Sequence, residues 1–451
     1  MSLADRDLVL PLPSGTAEAR RPPRLASLGR LNVSVLIDLE WTPHAGGHIK
    51  VWERLAEAAA RLPEAVDLTL HVEGDRAGQV AWAENVRFAT HRPVLSTKRF
   101  ALLRTGADHT DLAPLHPGLI PSLLRSDVIH TTDCYFAYAR TGRLVSLLGD
   151  VALVNSVHTD VPAYSRMYSA RVFRRVLGDG WAGRMVNDRL DTPRRIGAHF
   201  MRRFVSYLAR CDRVLVSERN VSEVEALAPG RVSVLRRGID KKLFNPGRRD
   251  RRRLAERFGI PEDRPVLFFV GRIEAAKGVM TLAKAARLLR DGGQPVHVVF
   301  AGNGSEESAV RALLGANATL PGNVPQHDLA WLYASSDLFV FPSKIEVTPN
   351  VVLEAKASGL PALVAPNGGG VFVNRSGQDG IVIAADDPRA WADAAAALIA
   401  DPPRRAAMAQ TARADIAARH PSWDDVLMQD LLPVWRAAAL SRRPAQALDV
   451  R

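Results

Sequence analysis

The feature that most constrains this chain is a repeated alternation of short apolar runs with loops of small residues and amphipathic stretches. Apolar runs occupy 31–39, 66–71, 127–130, 151–157, 213–217 and 232–235, and the pattern restarts with 266–270, 296–301, 338–341 and 381–383. Each run is too short for a buried helix and too continuously apolar for a strand with one wet face, so each reads as a strand covered on both sides. The intervening stretches carry helical spacing. In 49–61, Val51, Leu55, Ala58 and Ala59 fall on one face, and 281–289 repeats the pattern. Strands of this kind joined by helices imply parallel, doubly wound sheets. With 451 residues there is room for two such domains, each with a full core.

The expected division is a tail over 1–30, an N-terminal domain over 31–228, a linker over 229–247, a C-terminal domain over 248–420, and a tail over 441–451. The linker is placed at Gly238-Ile239-Asp240 and the basic run that follows. At 47% hydrophobic and 24% charged residues, the composition is that of a globular protein. No uncharged apolar stretch reaches the roughly 18 residues a membrane span needs, and no signal-peptide run opens the chain, so a cytoplasmic protein is expected. Cys134 and Cys211 are too few for a disulfide framework and lie at no metal-ligand spacing, which leaves buried thiols. The one Asp-x-Asp, Asp5-Arg6-Asp7, sits in the tail with nothing to fix it, so no metal site is expected. A net charge of +12 suits phosphorylated substrates or anionic membrane surfaces, while arginine-rich base composition is the bland account. No nucleic-acid partner is expected.

The chemistry concentrates at 341–380. Phe341 ends a strand, Pro342-Ser343 closes it, and Thr348 reads as the N-cap of a helix with Pro349 in its first turn and Gly359 as its stop. Amides at Val347, Thr348, Asn350 and Val351 would then face a strand-end crevice, and the dipole of that helix favours a phosphate. Glu346 precedes the helix and Glu354 lies within it; ionised carboxylates accept hydrogen bonds from sugar and ribose hydroxyls. Taken alone, the pair could be a surface loop glutamate and a solvated helix glutamate. Glycine-rich loops supply the rest. Gly271-Arg272 to Lys277-Gly278 lacks the glycine before the lysine and the hydroxyl residue after it, so it is no triphosphate P-loop. Gly302-x-Gly304 lacks the third glycine of a dinucleotide fingerprint, which argues against a nicotinamide-dependent oxidoreductase. A cationic clamp remains, with Arg272 forking onto phosphate oxygens and Lys277 adding a point charge. In the first domain, Gly46-Gly47 opens a helix after the first strand, and His158 ends the strand 151–157, where open α/β sheets bind ligands.

Together, Glu346 and Glu354 seven residues apart, Ser358-Gly359-Leu360-Pro361, the glycines 368–370, Gly271-Arg272-x4-Lys277-Gly278 and Gly238-Ile239-Asp240 with Phe244 and Pro246 resemble family 4 retaining glycosyltransferases. Departures fall at Val347-Thr348-Pro349, where an aromatic and a glycine are frequent, and at Lys356, where methionine is usual. The resemblance implies the GT-B fold, two Rossmann-like domains facing a cleft, with the helix over 421–440 crossing back onto the N-terminal domain. It implies sugar transfer from a nucleoside diphosphate sugar to a lipid-linked, glycan or small-molecule hydroxyl, without metal or other cofactor. It places His158 beside the donor sugar, Glu346 on its hydroxyls, Glu354 on the ribose, Arg272 and Lys277 on the diphosphate, and Gly46, Gly47, Gly271 and Gly304 along the donor. The rival from another class is a non-catalytic nucleotide-sugar-binding or scaffold protein; within the class, an inverting enzyme. Eleven arginines against three aspartates in 166–210, interleaved with apolar residues, read either as solvated helices or as a peripheral contact with an anionic membrane face.

Overall fold

The computed structural model describes residues 29–42, 47–99, 110–158, 180–181, 185, 189, 191–344, 346 and 349–442. The N-terminal tail with Asp5 and Asp7, the loop containing Gly46, most of 166–190, and Val347 and Thr348 lie outside them. The described residues form two compact units, one drawn from 29–236 with 424–442, the other from 237–423.

The first unit holds β1 (Leu31–Glu40), β2 (Val66–Glu73), β3 (Gly78–Ala83), β4 (Val86–His91), β5 (Val128–Thr131), β6 (Ala152–Ser156), β7 (Arg213–Val216) and β8 (Val232–Val234). They form one sheet in the order β3-β4-β2-β1-β5-β6-β7-β8. β1 pairs in parallel with β2 from Leu31 opposite Val66 and with β5 from Val33 opposite Val128, and as a central strand it is buried along most of its length, in keeping with its nearly continuous apolar sequence. β3 departs from the expected wholly parallel sheet, since it runs antiparallel to β4 at the edge. The helices used below are α1 (Gly47–Ala60), α2 (Ala137–Leu148) and α3 (Thr192–Leu208). β8 pairs with β7 inside 229–247, so the first part of the expected linker is sheet.

The second unit holds β9 (Val266–Val270), β10 (His297–Ala301), β11 (Ala318–Gly322), β12 (Leu338–Phe341), β13 (Ala362–Val364) and β14 (Ile381–Val382), ordered β11-β10-β9-β12-β13-β14 and parallel throughout. α4 (Val279–Asp291) buries Leu282, Ala283, Ala286 and Leu289, the helical spacing that lays one face on the sheet. Phe268, Phe269, Phe300 and Phe339 are fully buried. Each such side chain contributes about 1.5–3 kcal/mol. α5 (Asn350–Ala357) and α6 (Pro402–Arg419) complete the elements used below.

The chain returns to the first unit through Val426–Leu431, a π-helical segment, and α7 (Leu432–Ser441). Trp435 is fully buried there, and Asp430 accepts from the Arg236 backbone N–H at 2.9 Å and from its guanidinium at 2.6 Å, pinning the end of β8. The thiols of Cys134 and Cys211 are free and buried, and burial pushes both well above the ordinary thiol range.

Candidate active site

In the second unit chain order runs from β9 outward to β10 and β11, then restarts on the other side of β9 with β12. Ligands of open α/β sheets bind at such a switch point, where the loops leaving the two strands diverge. Here those loops are packed together. Gly278 has φ +69°, and a Cβ there would lie 2.8 Å from the Pro342 Cβ and 2.9 Å from its carbonyl oxygen, so the turn into α4 presses directly on the turn after β12. A Cβ on Gly302 would lie 2.0 Å from the Gly271 carbonyl, and one on Gly304 2.2 Å from that of Ile273. Gly304 therefore serves close backbone packing; its N–H donates to Glu307 Oε1 at 2.8 Å.

This packing brings Lys277 and Glu346 into an ion pair, with side chains 15% and 19% exposed, and Ser343 Oγ–H donates to Glu346 Oε1 at 3.2 Å. A solvated loop glutamate is not what the structure holds. Glu346 is fixed by two partners from two loops. Arg272 is half-exposed and lies 3.7 Å from Glu274, on the strand-end loop that leads to Lys277.

α5 begins at Asn350 with Pro349 in extended backbone as its cap, a correction to the expected start at Thr348. Val352 N–H makes the first bond back, to the Pro349 carbonyl at 3.2 Å, so the N–H groups of Asn350 and Val351 precede the helix's own hydrogen bonding. Asn350 Oδ1 is buried without a hydrogen-bond partner, an acceptor that a bound hydroxyl or amide would satisfy. Glu354 is 8% exposed, again not the solvated helix residue that spacing alone allows. The Tyr333 hydroxyl donates to its Oε2 at 3.0 Å, and burial together with this carboxylate drives the phenol well above its ordinary pKa. Tyr333 was invisible as a site residue in sequence; only the fold carries it to Glu354.

Lys356, where the sequence departs from the usual methionine, does not face this site. It is fully buried and donates to Asp379 at 2.9 Å, Asp415 at 2.8 Å and the Phe372 carbonyl at 2.6 Å. Its charge ties α5 to α6 and to the loop before β14.

In the first unit the corresponding switch point lies between β1 and β5. Gly47 is the first residue of α1, exposed, and a Cβ there would meet nothing within 4 Å, so protein packing does not demand the glycine. His158 follows β6 in a cavity of about 200 Å³ lined also by Asp38, His48, Asp133 and Asn155. A chain of buried hydrogen bonds leads to it. Trp435 Nε1–H donates to His130 Nδ1 at 2.9 Å, and burial holds His130 neutral by lowering its pKa to about 3. Its Nε2–H must then donate to Ser156 Oγ, 2.8 Å away, and Ser156 Oγ in turn shares a hydrogen bond of 2.7 Å with His158 Nε2. Neither His130, Ser156 nor Trp435 stood out in the sequence. Asp38, also unforeseen, is raised well above a normal carboxylic acid by burial, then by Asp133 and Glu73, while burial lifts Glu73 to about 7.

Two doubly wound α/β units, one with paired cation and carboxylate at its strand-end switch point, define the GT-B class of glycosyltransferase. Residues 250–415 match the family described as glycosyl transferases group 1. The D-inositol 3-phosphate glycosyltransferase of Xylanimonas cellulosilytica is 32% identical over 336 residues, 71% of this chain and 74% of that protein. D-inositol 3-phosphate glycosyltransferase 1 of Catenulispora acidiphila is 28% identical over 428 residues, 91% of each chain. Among solved structures, Anabaena Alr3699/HepE in complex with UDP and glucose superposes with a TM-score of 0.62 at 18% identity, over 88% of this chain and 98% of that one. The chain belongs to the group 1 glycosyltransferases, and it is a glycosyltransferase. Among the described residues no helix is long and apolar enough to cross a membrane.

Proposed function

We propose that this enzyme transfers a hexose, with retention of anomeric configuration, from a nucleoside diphosphate sugar to a hydroxyl of a small phosphorylated polyol of the inositol phosphate kind. The observation that carries the donor reading is the Lys277–Glu346 pair set at the start of α5, beside the Asn350 and Val351 N–H groups and the orphaned Asn350 Oδ1. Cations and helix amides suit the departing diphosphate, the carboxylate of Glu346 suits sugar hydroxyls, and Glu354, oriented by Tyr333, suits the ribose. Charge develops on the diphosphate as the glycosidic bond breaks, and Arg272, Lys277 and the helix N–H groups meet it preorganised. His158, lining the strand-end cavity of the first unit, is suited to hydrogen-bond a sugar oxygen.

The acceptor reading rests on the relatives, which are named for D-inositol 3-phosphate, and on the polar strand-end cavity around Asp38 and His158. It favours a small molecule over a lipid-linked acceptor. The test is a matrix of uridine, guanosine and adenosine diphosphate sugars against inositol 3-phosphate, with product mass and anomeric configuration read by mass spectrometry and NMR. A glycosylated inositol phosphate with the donor's configuration is expected. Transfer to lipid extract but not to inositol phosphate would overturn the acceptor, and an inverted product would overturn retention.

A further inference from the structure

α2 and α3 of the first unit each turn a stripe towards the other at the spacing normally given to core residues. On α2 the stripe is Arg140, Arg143, Leu144 and Leu147; on α3 it is His199, Arg202, Arg203 and Ser206. Steps of three and four residues place each set on one helix face. Where two packed helices would bury apolar side chains, these two border an open cavity of about 510 Å³ ringed by four guanidinium groups and an imidazole. Its described lining residues include no carboxylate. Arg203 donates to the Tyr135 carbonyl at 2.8 Å and Arg140 to the Ala113 carbonyl at 3.1 Å, which fixes two of the guanidiniums. The Arg140 Nε is buried and has no hydrogen-bond partner. Burial, and then Arg203 close by, hold Arg140 below the ordinary arginine range against the opposing pull of Asp133, Asp38 and Asp111, which lie outside the cavity lining.

We infer that this cavity is a binding site for a phosphate group, supplied either by a free phosphorylated small molecule or by a lipid headgroup whose apolar part lies along Leu115, Leu144 and Leu147. Several planar forks converging on one space match the tetrahedral oxygens of phosphate, and a ring of four arginines favours it over a cation or a neutral sugar. The site is separate from the strand-end cavity near His158; the two share Cys134 alone among their lining residues. It does not rest on the transferase reading.

Equilibrium dialysis of the full chain against radiolabelled inorganic phosphate reads the free source. Co-sedimentation with phosphatidylcholine vesicles containing phosphatidic acid, beside pure phosphatidylcholine, reads the headgroup. Saturable binding is expected in at least one arm, weakened about tenfold per arginine removed in R143Q/R202Q. R194Q/R195Q, which changes two exposed arginines of the same helix outside the cavity, should keep binding within about twofold by the same reasoning. Binding in dialysis assigns the free ligand; binding to vesicles alone assigns the headgroup. If R143Q/R202Q fails to fold by its melting curve, R143K/R202K decides, because lysine keeps the charge but loses the fork and should bind at least about threefold more weakly. No binding by the wild type in either arm, equal losses in the two glutamine variants, or unchanged binding in the folded cavity variant would overturn the site.

Discussion

Replacing Lys356 with methionine, the residue usual at this position among the proteins the sequence resembles, should destabilise the C-terminal unit. The ammonium is fully buried between Asp379 and Asp415, whose side chains are 3% and 9% exposed. Removing one partner of a buried ion pair costs about 3–5 kcal/mol because the other charge is left uncompensated. Here the carboxylates keep other partners. Asp379 still accepts from the N–H groups of Asn374 and Arg375 at 2.9 and 2.8 Å, and Asp415 still meets Arg419 at 3.0 Å and Asn374 Nδ2 at 2.7 Å. The loss should therefore sit near the low end, about 3 kcal/mol, or roughly 6–12 °C in melting temperature for a unit of this size. Urea and thermal unfolding followed by circular dichroism and calorimetry measure it. Adding Asp379→Asn and Asp415→Asn to Lys356→Met should recover part of the loss, since the orphaned charges disappear. The pH dependence adds a check. Burial raises the Asp379 pKa, but Lys356 and the two backbone N–H groups outweigh it and hold the carboxyl below its usual value. Its stabilisation is thus present above the unfolded pKa of about 3.9 and lost as pH falls through the lower folded value. A Lys356→Met protein as stable as wild type, with the same acid profile, would refute this reasoning.

Arg272→Ala should lose about 2–4 kcal/mol of transition-state stabilisation while folding normally, read as kcat at saturating donor; wild-type turnover would remove it from the clamp. Tyr333→Phe should raise the donor KM more than it lowers kcat, because it frees the orientation of Glu354; unchanged donor affinity would contradict the hydrogen bond's role. Transfer should persist in EDTA, since Arg272 and Lys277 supply the positive charge the diphosphate needs; loss restored by magnesium or manganese would show otherwise. The N-terminal unit should lose stability on acidification from the unfolded histidine pKa near 6.5 downward, because burial lowers His71 well below that value and His91 to about 4, each adding a slope of up to about 1.4 kcal/mol per pH unit until its folded pKa is passed. A flat stability profile between pH 6.5 and 4 would contradict this.

What the sequence made legible is local. The β9-to-α4 loop and the β12-to-α5 stretch were read as one donor site because strand, loop and helix signals there are contiguous, and Lys277 and Glu346 do meet. Contacts closed by the fold over long separations were not legible. Trp435 and His130 lie 305 residues apart, and Tyr333 belongs to a helix whose own pattern reads as core. β3 was missed because a short edge strand with mixed burial carries a weak period-two signal. α2 was missed because Arg140, Thr141, Gly142 and Arg143 interrupt its apolar spacing, and both arginines line the cavity it shares with α3. Lys356 read as a departure in the donor site because its two carboxylate partners arrive from 23 and 59 residues away.

The measurement that bears most directly on the central claim is the single-turnover rate of sugar transfer in Lys277→Ala beside wild type, with donor saturating and melting temperature recorded for both. If Lys277 stabilises the departing diphosphate, the variant folds as the wild type does and its rate falls by about 2–4 kcal/mol of activation free energy, roughly 30- to 1,000-fold. A folded Lys277→Ala enzyme turning over within about threefold of wild type would contradict the account, because less than about 0.7 kcal/mol would then rest on the lysine that the fold holds against Glu346.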